Sequence, residues 1–132
     1  MFWENWLTII AAAIAAFAVG GVWYGPLFGK AWMAEVGFTE EDAKNSNMAL
    51  LFGGTIALNL ISAVFLGHLL AHFDPAPMQT MMISTGIALG FVIPSLAVNY
   101  MYNRKSMRLF LIDAGYYLGV FAAMGAVFVL LG

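Results

Sequence analysis

The run LFLIDAGYYLGVFAAMGAVFVLL, residues 109–131, decides the fold. It holds 23 residues and a single charge, Asp113, with no proline, lysine or arginine. A helix of that length and polarity fits a bilayer, whose ~30 Å hydrocarbon core takes about 20 apolar residues to cross. Three more runs share its character, at about 5–25, 48–70 and 78–102. The four together use most of the 132 residues and leave no room for a soluble catalytic domain. Composition agrees, because only 9% of residues are charged, against about 25% in soluble domains. Seven acidic and five basic side chains cannot cover a chain that is 63% hydrophobic in water. The expectation is an all-α membrane protein: one transmembrane domain over residues 1–132, with four transmembrane helices in an antiparallel bundle.

Orientation follows from where the basic residues stand. Lys30 and Lys44 lie between the first and second runs, and Arg104, Lys105 and Arg108 between the third and fourth. In a four-span chain those two joins share a compartment, and short basic loops resist translocation, which names that compartment as the cytoplasm. The N- and C-termini and the His72–Met78 loop are then expected on the outer face of a bacterial cytoplasmic (inner) membrane. The opening residues Met1-Phe2-Trp3-Glu4-Asn5-Trp6 lack the positive n-region of a secretory signal, so the first run is read as a retained helix. A net charge of −2 without a basic cluster argues against a nucleic-acid partner. Zero cysteines exclude disulfides, thiolate metal sites and a cysteine nucleophile.

Within the first run, Ala12, Ala16 and Gly20 recur every fourth residue, a smooth stripe that lets a neighbouring helix approach. Gly25-Pro26 is expected to end that helix. Trp3 and Trp6 at one end, and Trp23, Tyr24 and Trp32 at the other, suit the two interfacial aromatic belts. Residues 27–47 are too polar to span. Leu27, Phe28, Ala31, Trp32 and Val36 share one side of a helical wheel, away from Lys30 and Glu35, which predicts a short amphipathic membrane-surface helix between the first and second spans. Gly37 stops it. Thr39-Glu40-Glu41-Asp42 opens a new helix, where three carboxylates suit the positive end of the helix dipole better than they suit chemistry. Asp74-Pro75-Ala76-Pro77 makes a tight outer turn. Pro94 interrupts the third run, releases the Gly90 carbonyl and is expected to kink the helix. The pairs Gly86/Gly90 and Gly115/Gly119 favour close packing, within or between subunits. An aromatic pair before basic residues ends both odd-numbered spans, which is too little to define a repeat.

The block Gly21-Val22-Trp23-Tyr24-Gly25-Pro26-Leu27-Phe28-Gly29-Lys30-Ala31-Trp32 is followed by Gly37, an acidic helix start and three more spans. With Asp113-Ala114-Gly115-Tyr116, it resembles the bacterial "domain of unknown function 1761" family of small four-span integral membrane proteins. The resemblance covers essentially the whole chain and implies a four-span fold. It implies no catalytic residues.

Candidate site residues come from polar groups inside the spans. Asp113 lies five residues beyond Arg108, about 7–8 Å along the helix, and an intramembrane carboxylate marks a functional suspect. The competing reading is structural: an ion pair with Arg104, Arg108 or Lys30, or a hydrogen bond to Tyr100 or Tyr102, that pins the fourth helix. Asn59 shares a face with Thr55 and Ser62, and Asn99 shares one with Ser95 and Tyr102. The two stripes line a cavity beside Pro94 or act as interhelical hydrogen-bond glue. The aromatic block with Trp23, Tyr24, Lys30 and Trp32 offers a headgroup or small-ligand pocket, with Lys30 toward a phosphate, or else an aromatic belt and a helix breaker. The ligand-binding candidates are thus Trp23, Tyr24, Lys30, Trp32, Asn59, Asn99, Asp113 and Tyr116. His68 and His72, four residues apart, have a metal-chelating spacing, but two histidines in total make interfacial imidazoles the preferred reading, so no metal or other cofactor is expected.

A proton-coupled exporter lacks its carrier, since no charged group falls near the middle of any span. An enzyme lacks an acid, base or metal set within mutual reach, because Asp113 and the histidines fall at opposite ends. The expectation is a non-enzymatic membrane protein, either an oligomeric structural or accessory unit or a binder of lipid or a small ligand. Its partners would be the lipid bilayer and copies of itself or a larger membrane complex. A small-molecule transporter or channel subunit without a proton-coupling carboxylate is the alternative.

Overall fold

The computed structural model describes residues 6–132, so the expectations for Trp3 and Glu4 fall outside the described residues. The order is α1 (Trp6–Val22), a π turn (Trp23–Leu27), α2 (Gly29–Val36), α3 (Glu40–Asn45), α4 (Met48–Phe73), α5 (Pro77–Ile87), a second π turn (Ala88–Val92), α6 (Ile93–Tyr102) and α7 (Met107–Leu131). Among the described residues, four continuous helical stretches are long and apolar enough to cross a bilayer: Trp6–Leu27, Met48–Phe73, Pro77–Tyr102 and Met107–Leu131. The all-helical four-span fold is therefore present. Helix α1 packs between α7 and α4, and α7 packs between α1 and α5, which puts the first and last spans at the centre.

Small residues explain that centre. Ala12 and Ala16 are completely buried, and Gly20 abuts the Tyr116 ring, so the four-residue stripe is the contact face of α1. On α7, Gly115 and Gly119 face Trp23 and Val19 of the first span, so this glycine pair is used within the chain. A Cβ added at Gly86 or Gly90, in contrast, would meet nothing within 4 Å among the described residues outside its own helix turn. The central core runs through Ile9, Ala12, Ala63, Leu66, Phe121 and Met124. Without a hydrophobic drive between helices in lipid, close backbone approach and interhelical hydrogen bonds must hold this core. One such bond runs from the fully buried Ser84 hydroxyl to the Phe121 carbonyl.

At Pro26 the structure departs from expectation. Gly25-Pro26 does not end the first helix. The missing Pro26 N–H is absorbed by a wider turn, in which the Phe28 N–H reaches Trp23 O, five residues back, at 2.8 Å. The helix therefore continues to Leu27. Ahead of Pro94 the same device recurs, with the Ile93 N–H bonded to Ala88 O. A π turn holds one residue more than an α turn and rotates the residues after it, so each changes which side chains face the neighbouring span.

The connections obey local rules. Gly37 closes α2 with φ +70°, and the Phe38 N–H bonds Met33 O at 3.1 Å while the Phe38 ring packs on Trp32. Thr39 and Asp42 form a reciprocal capping box on α3 at 3.1 and 2.9 Å, so the acidic run serves as a cap. Helix α4 reaches Phe73, one turn further than expected, so His72 is helical and the turn after it shortens to residues 74–76.

Candidate functional site

Asp113 stands on α7, 6% exposed, one turn beyond the Leu109 at which the Ser106 cap first engages the helix. Tyr24, turned by the first π turn, donates its hydroxyl to Asp113 Oδ1 at 2.5 Å. Tyr100, from the last turns of α6, donates to Oδ2. Both carboxylate oxygens are thus taken by phenols from two other spans, and three of the four spans meet at one side chain. Beside it, the Trp23 indole N–H donates to the Ile112 carbonyl at 2.8 Å, a second tie between the same two spans. Tyr116 stacks near Tyr24 with ring centroids 5.0 Å apart, and Trp32 of α2 meets Tyr24 edge-on at 6.0 Å.

Two backbone features set this geometry. Gly29 must be glycine, because a Cβ there would lie 2.5 Å from the Tyr24 carbonyl oxygen, and α2 could not fold back onto the π turn. At the end of α6, Arg104 adopts a left-handed conformation (φ +55°). Its N–H bonds Met101 O, and the Lys105 N–H bonds Tyr100 O at 2.9 Å. That closure anchors the Tyr100 backbone close to Asp113.

Outside the cluster, Ser106 Oγ accepts the Leu109 N–H at 3.0 Å and donates to Glu35 Oε2 at 2.9 Å, so the cap of α7 also ties down α2. Arg108 lies 3.8 Å from Glu35. These contacts place the first and third connections, which carry the basic residues, at the same end of the molecule. Of the apolar face expected on α2, Phe28 and Trp32 turn inward onto Trp23 and Tyr24, while Leu27 and Val36 stay exposed.

Trp23, Tyr24, Trp32, Asp113 and Tyr116 are thus brought together. Lys30 is exposed on α2 near the cluster, and it forms no ion pair with Asp113 among the described residues. Of the partners weighed for Asp113, the structure selects Tyr100; Arg108 goes to Glu35, and Tyr102 is 85% exposed. Tyr24 as a partner could not be foreseen, because 89 residues separate it from Asp113. Asn59 and Asn99 form no hydrogen bond to Asp113, Tyr24 or Tyr100 among the described residues. Thr55 and Ser95 turn their hydroxyls to Leu51 O and Phe91 O of their own helices, and Asn99 pairs with Asn103, so among the described residues these stripes form no hydrogen bond between helices. The Asn59 amide nitrogen is enclosed and has no hydrogen-bond partner among the described residues. No group of three or more His, Cys, Asp or Glu converges among the described residues.

Four membrane-length helices around a phenol-clasped carboxylate define a small multi-pass membrane protein. The chain belongs to the family described as "Protein of unknown function (DUF1761)", which matches residues 7–129. No curated protein and no solved structure matches it.

Proposed function

We propose that this is a non-enzymatic membrane protein of structural or accessory kind. It works as a homo-oligomer or within a larger membrane complex and binds lipid or a small ligand. The observation that carries this reading is the full engagement of Asp113, the one acidic residue inside a span, by Tyr24 and Tyr100. A proton carrier or general base needs a carboxylate that can meet substrate or water. Here both oxygens join three spans instead. The same reading places the chain in a bacterial inner membrane, with the basic end cytoplasmic, both termini outside and α2 at the headgroup level, where the exposed Lys30 suits a lipid phosphate. The transporter or channel-subunit alternative draws its support from Asn59, whose enclosed amide nitrogen, midway along α4, has no hydrogen-bond partner among the described residues.

Native mass spectrometry of the protein extracted with its own lipids tests the reading. A defined oligomer, or a complex with another membrane protein, carrying retained lipid is the expected result. A lipid-free monomer would refute it, and a retained polar solute bound through Asn59 would favour the transporter.

A further inference from the structure

We infer that the end of the bundle remote from the Asp113 clasp holds a small, hard, monovalent metal cation of the sodium kind between α4, α5 and α7. This goes beyond the reading above and does not depend on it. A cavity of about 150 Å³ lies there, lined by Ala71 and Asp74 at the end of α4, Thr80 of α5, and Phe128 and Gly132 at the end of α7. One water needs only about 10–15 Å³ of such space, so the cavity takes a cation together with part of its hydration shell.

Two oxygen-bearing side chains line this cavity, and each stands there at a cost. Thr80 is 6% exposed, yet its hydroxyl has no hydrogen-bond partner among the described residues. Thr55, Thr85 and Ser95 each turn the hydroxyl to the carbonyl four residues back. At Thr80 that carbonyl, Ala76 O, receives only the backbone N–H, at 2.8 Å. Among the described residues the one unpartnered polar side-chain atom shut off from open space is the Asn59 amide nitrogen, so the Thr80 oxygen keeps access to the cavity it lines. Asp74 breaks two rules of its position. It closes α4 in the left-handed region, at φ +45°, where glycine or asparagine is usual. Its charge also stands at the negative end of the α4 dipole, where a cation is favoured. Its carboxylate forms no hydrogen bond or ion pair among the described residues. All five lysines and arginines lie in or beside the first and third connections, at the other end of the molecule, and His72 lines a separate groove of α4. Two donors at the positive end of α5 are out of play, because Pro77 has no N–H and the Ala76 N–H is taken by Gln79 Oε1 at 3.2 Å. A metal cation answers both defects at once. Carboxylate and hydroxyl oxygens are hard ligands, and the C-terminal ends of α4 and α7 add negative potential at the same place. One carboxylate balances one positive charge, whereas calcium sites gather several, and no such group converges among the described residues. The ion joins α4, α5 and α7 at one end, as the Asp113 clasp joins three spans at the other.

The test is denaturant unfolding of the full chain in micelles, with sodium chloride exchanged stepwise for N-methylglucamine chloride at constant ionic strength. Indole fluorescence follows the transition, and sodium-23 NMR of the folded protein reports binding directly. Sodium at roughly ten times its dissociation constant should shift the unfolding equilibrium about tenfold toward the folded state. Asp74→Asn and Thr80→Val should each abolish that shift and the NMR signal of binding. Asparagine suits the left-handed position and valine keeps the shape of threonine, so both variants should fold in either salt. Thr80→Ser keeps the hydroxyl and should keep the response. Equal stability in the two salts, or a sodium response that survives Asp74→Asn or Thr80→Val, overturns the inference. A response to calcium chloride with none to sodium chloride overturns the monovalent assignment.

Discussion

Removing a single hydroxyl from the clasp offers the sharpest check on how the spans are tied. Tyr24→Phe keeps the ring and with it the contacts to Tyr116 at 5.0 Å and Trp32 at 6.0 Å, so the change isolates the 2.5 Å bond to Asp113. Hydrogen bonds to carboxylates are worth about 1.5–3 kcal/mol. Interhelical bonds measured in membranes average about 0.6 kcal/mol and reach about 1.7 kcal/mol. The two ranges meet near 1.5 kcal/mol, and at 6% exposure Asp113 has little water to replace a lost donor. Tyr24→Phe and Tyr100→Phe should therefore each destabilise by about 1.5 kcal/mol, roughly tenfold in the unfolding equilibrium. The double variant strips both oxygens of donors. It should cost more than the sum, toward the ~3–5 kcal/mol of a buried charge stripped of its partner. Asp113→Asn retains one acceptor oxygen and should fall near a single variant. The assay is reversible denaturant unfolding in micelles, followed by indole fluorescence, since Trp23 sits against the cluster. Both single variants unfolding together with the wild type would refute the clasp as the tie between the spans.

Gly115→Ala places a Cβ 2.6 Å from the Trp23 ring, which its bond to Ile112 O holds in place. It should destabilise by about 1–3 kcal/mol, whereas Gly86→Ala, with nothing within 4 Å, should not when measured in the same unfolding assay. The α3 cap should depend on pH. Hydrogen bonding from the Thr39 backbone and side chain holds the Asp42 carboxyl below the usual carboxylate range. Its contribution is therefore complete above that range and lost as pH falls through the lowered folded value. Amide exchange of residues 40–45 should quicken there, and Asp42→Asn should abolish the pH dependence. Reporter fusions should be active in the cytoplasm when placed after Lys44 or Lys105 and outside when placed at either terminus; cytoplasmic activity at both termini would reverse the proposed topology.

Four spans were legible because a bilayer demands about 20 apolar residues per crossing, a constraint that acts on each segment alone. Capping was legible for the same reason: Thr39 with its acidic run and Gly37 act within one turn of their own position. The Ala12/Ala16/Gly20 stripe announced a contact face, though not its partner. The π turns were not legible because a proline states only which N–H is missing. Whether the helix stops, kinks or widens depends on what the neighbouring spans offer the released carbonyl and the rotated side chains. Asp113 was visible as a costly charge, but the sequence left ion pair and hydrogen bond open. The choice fell to Tyr24 and Tyr100, which reach it from elements 89 and 13 residues away. Length, polarity and caps are properties of a segment and its immediate neighbours, so the sequence alone determined the spans and the small-residue faces. The clasp and the packing of Gly115 and Gly119 against Trp23 and Val19 arise where distant segments meet, and only the packing of the spans decided them.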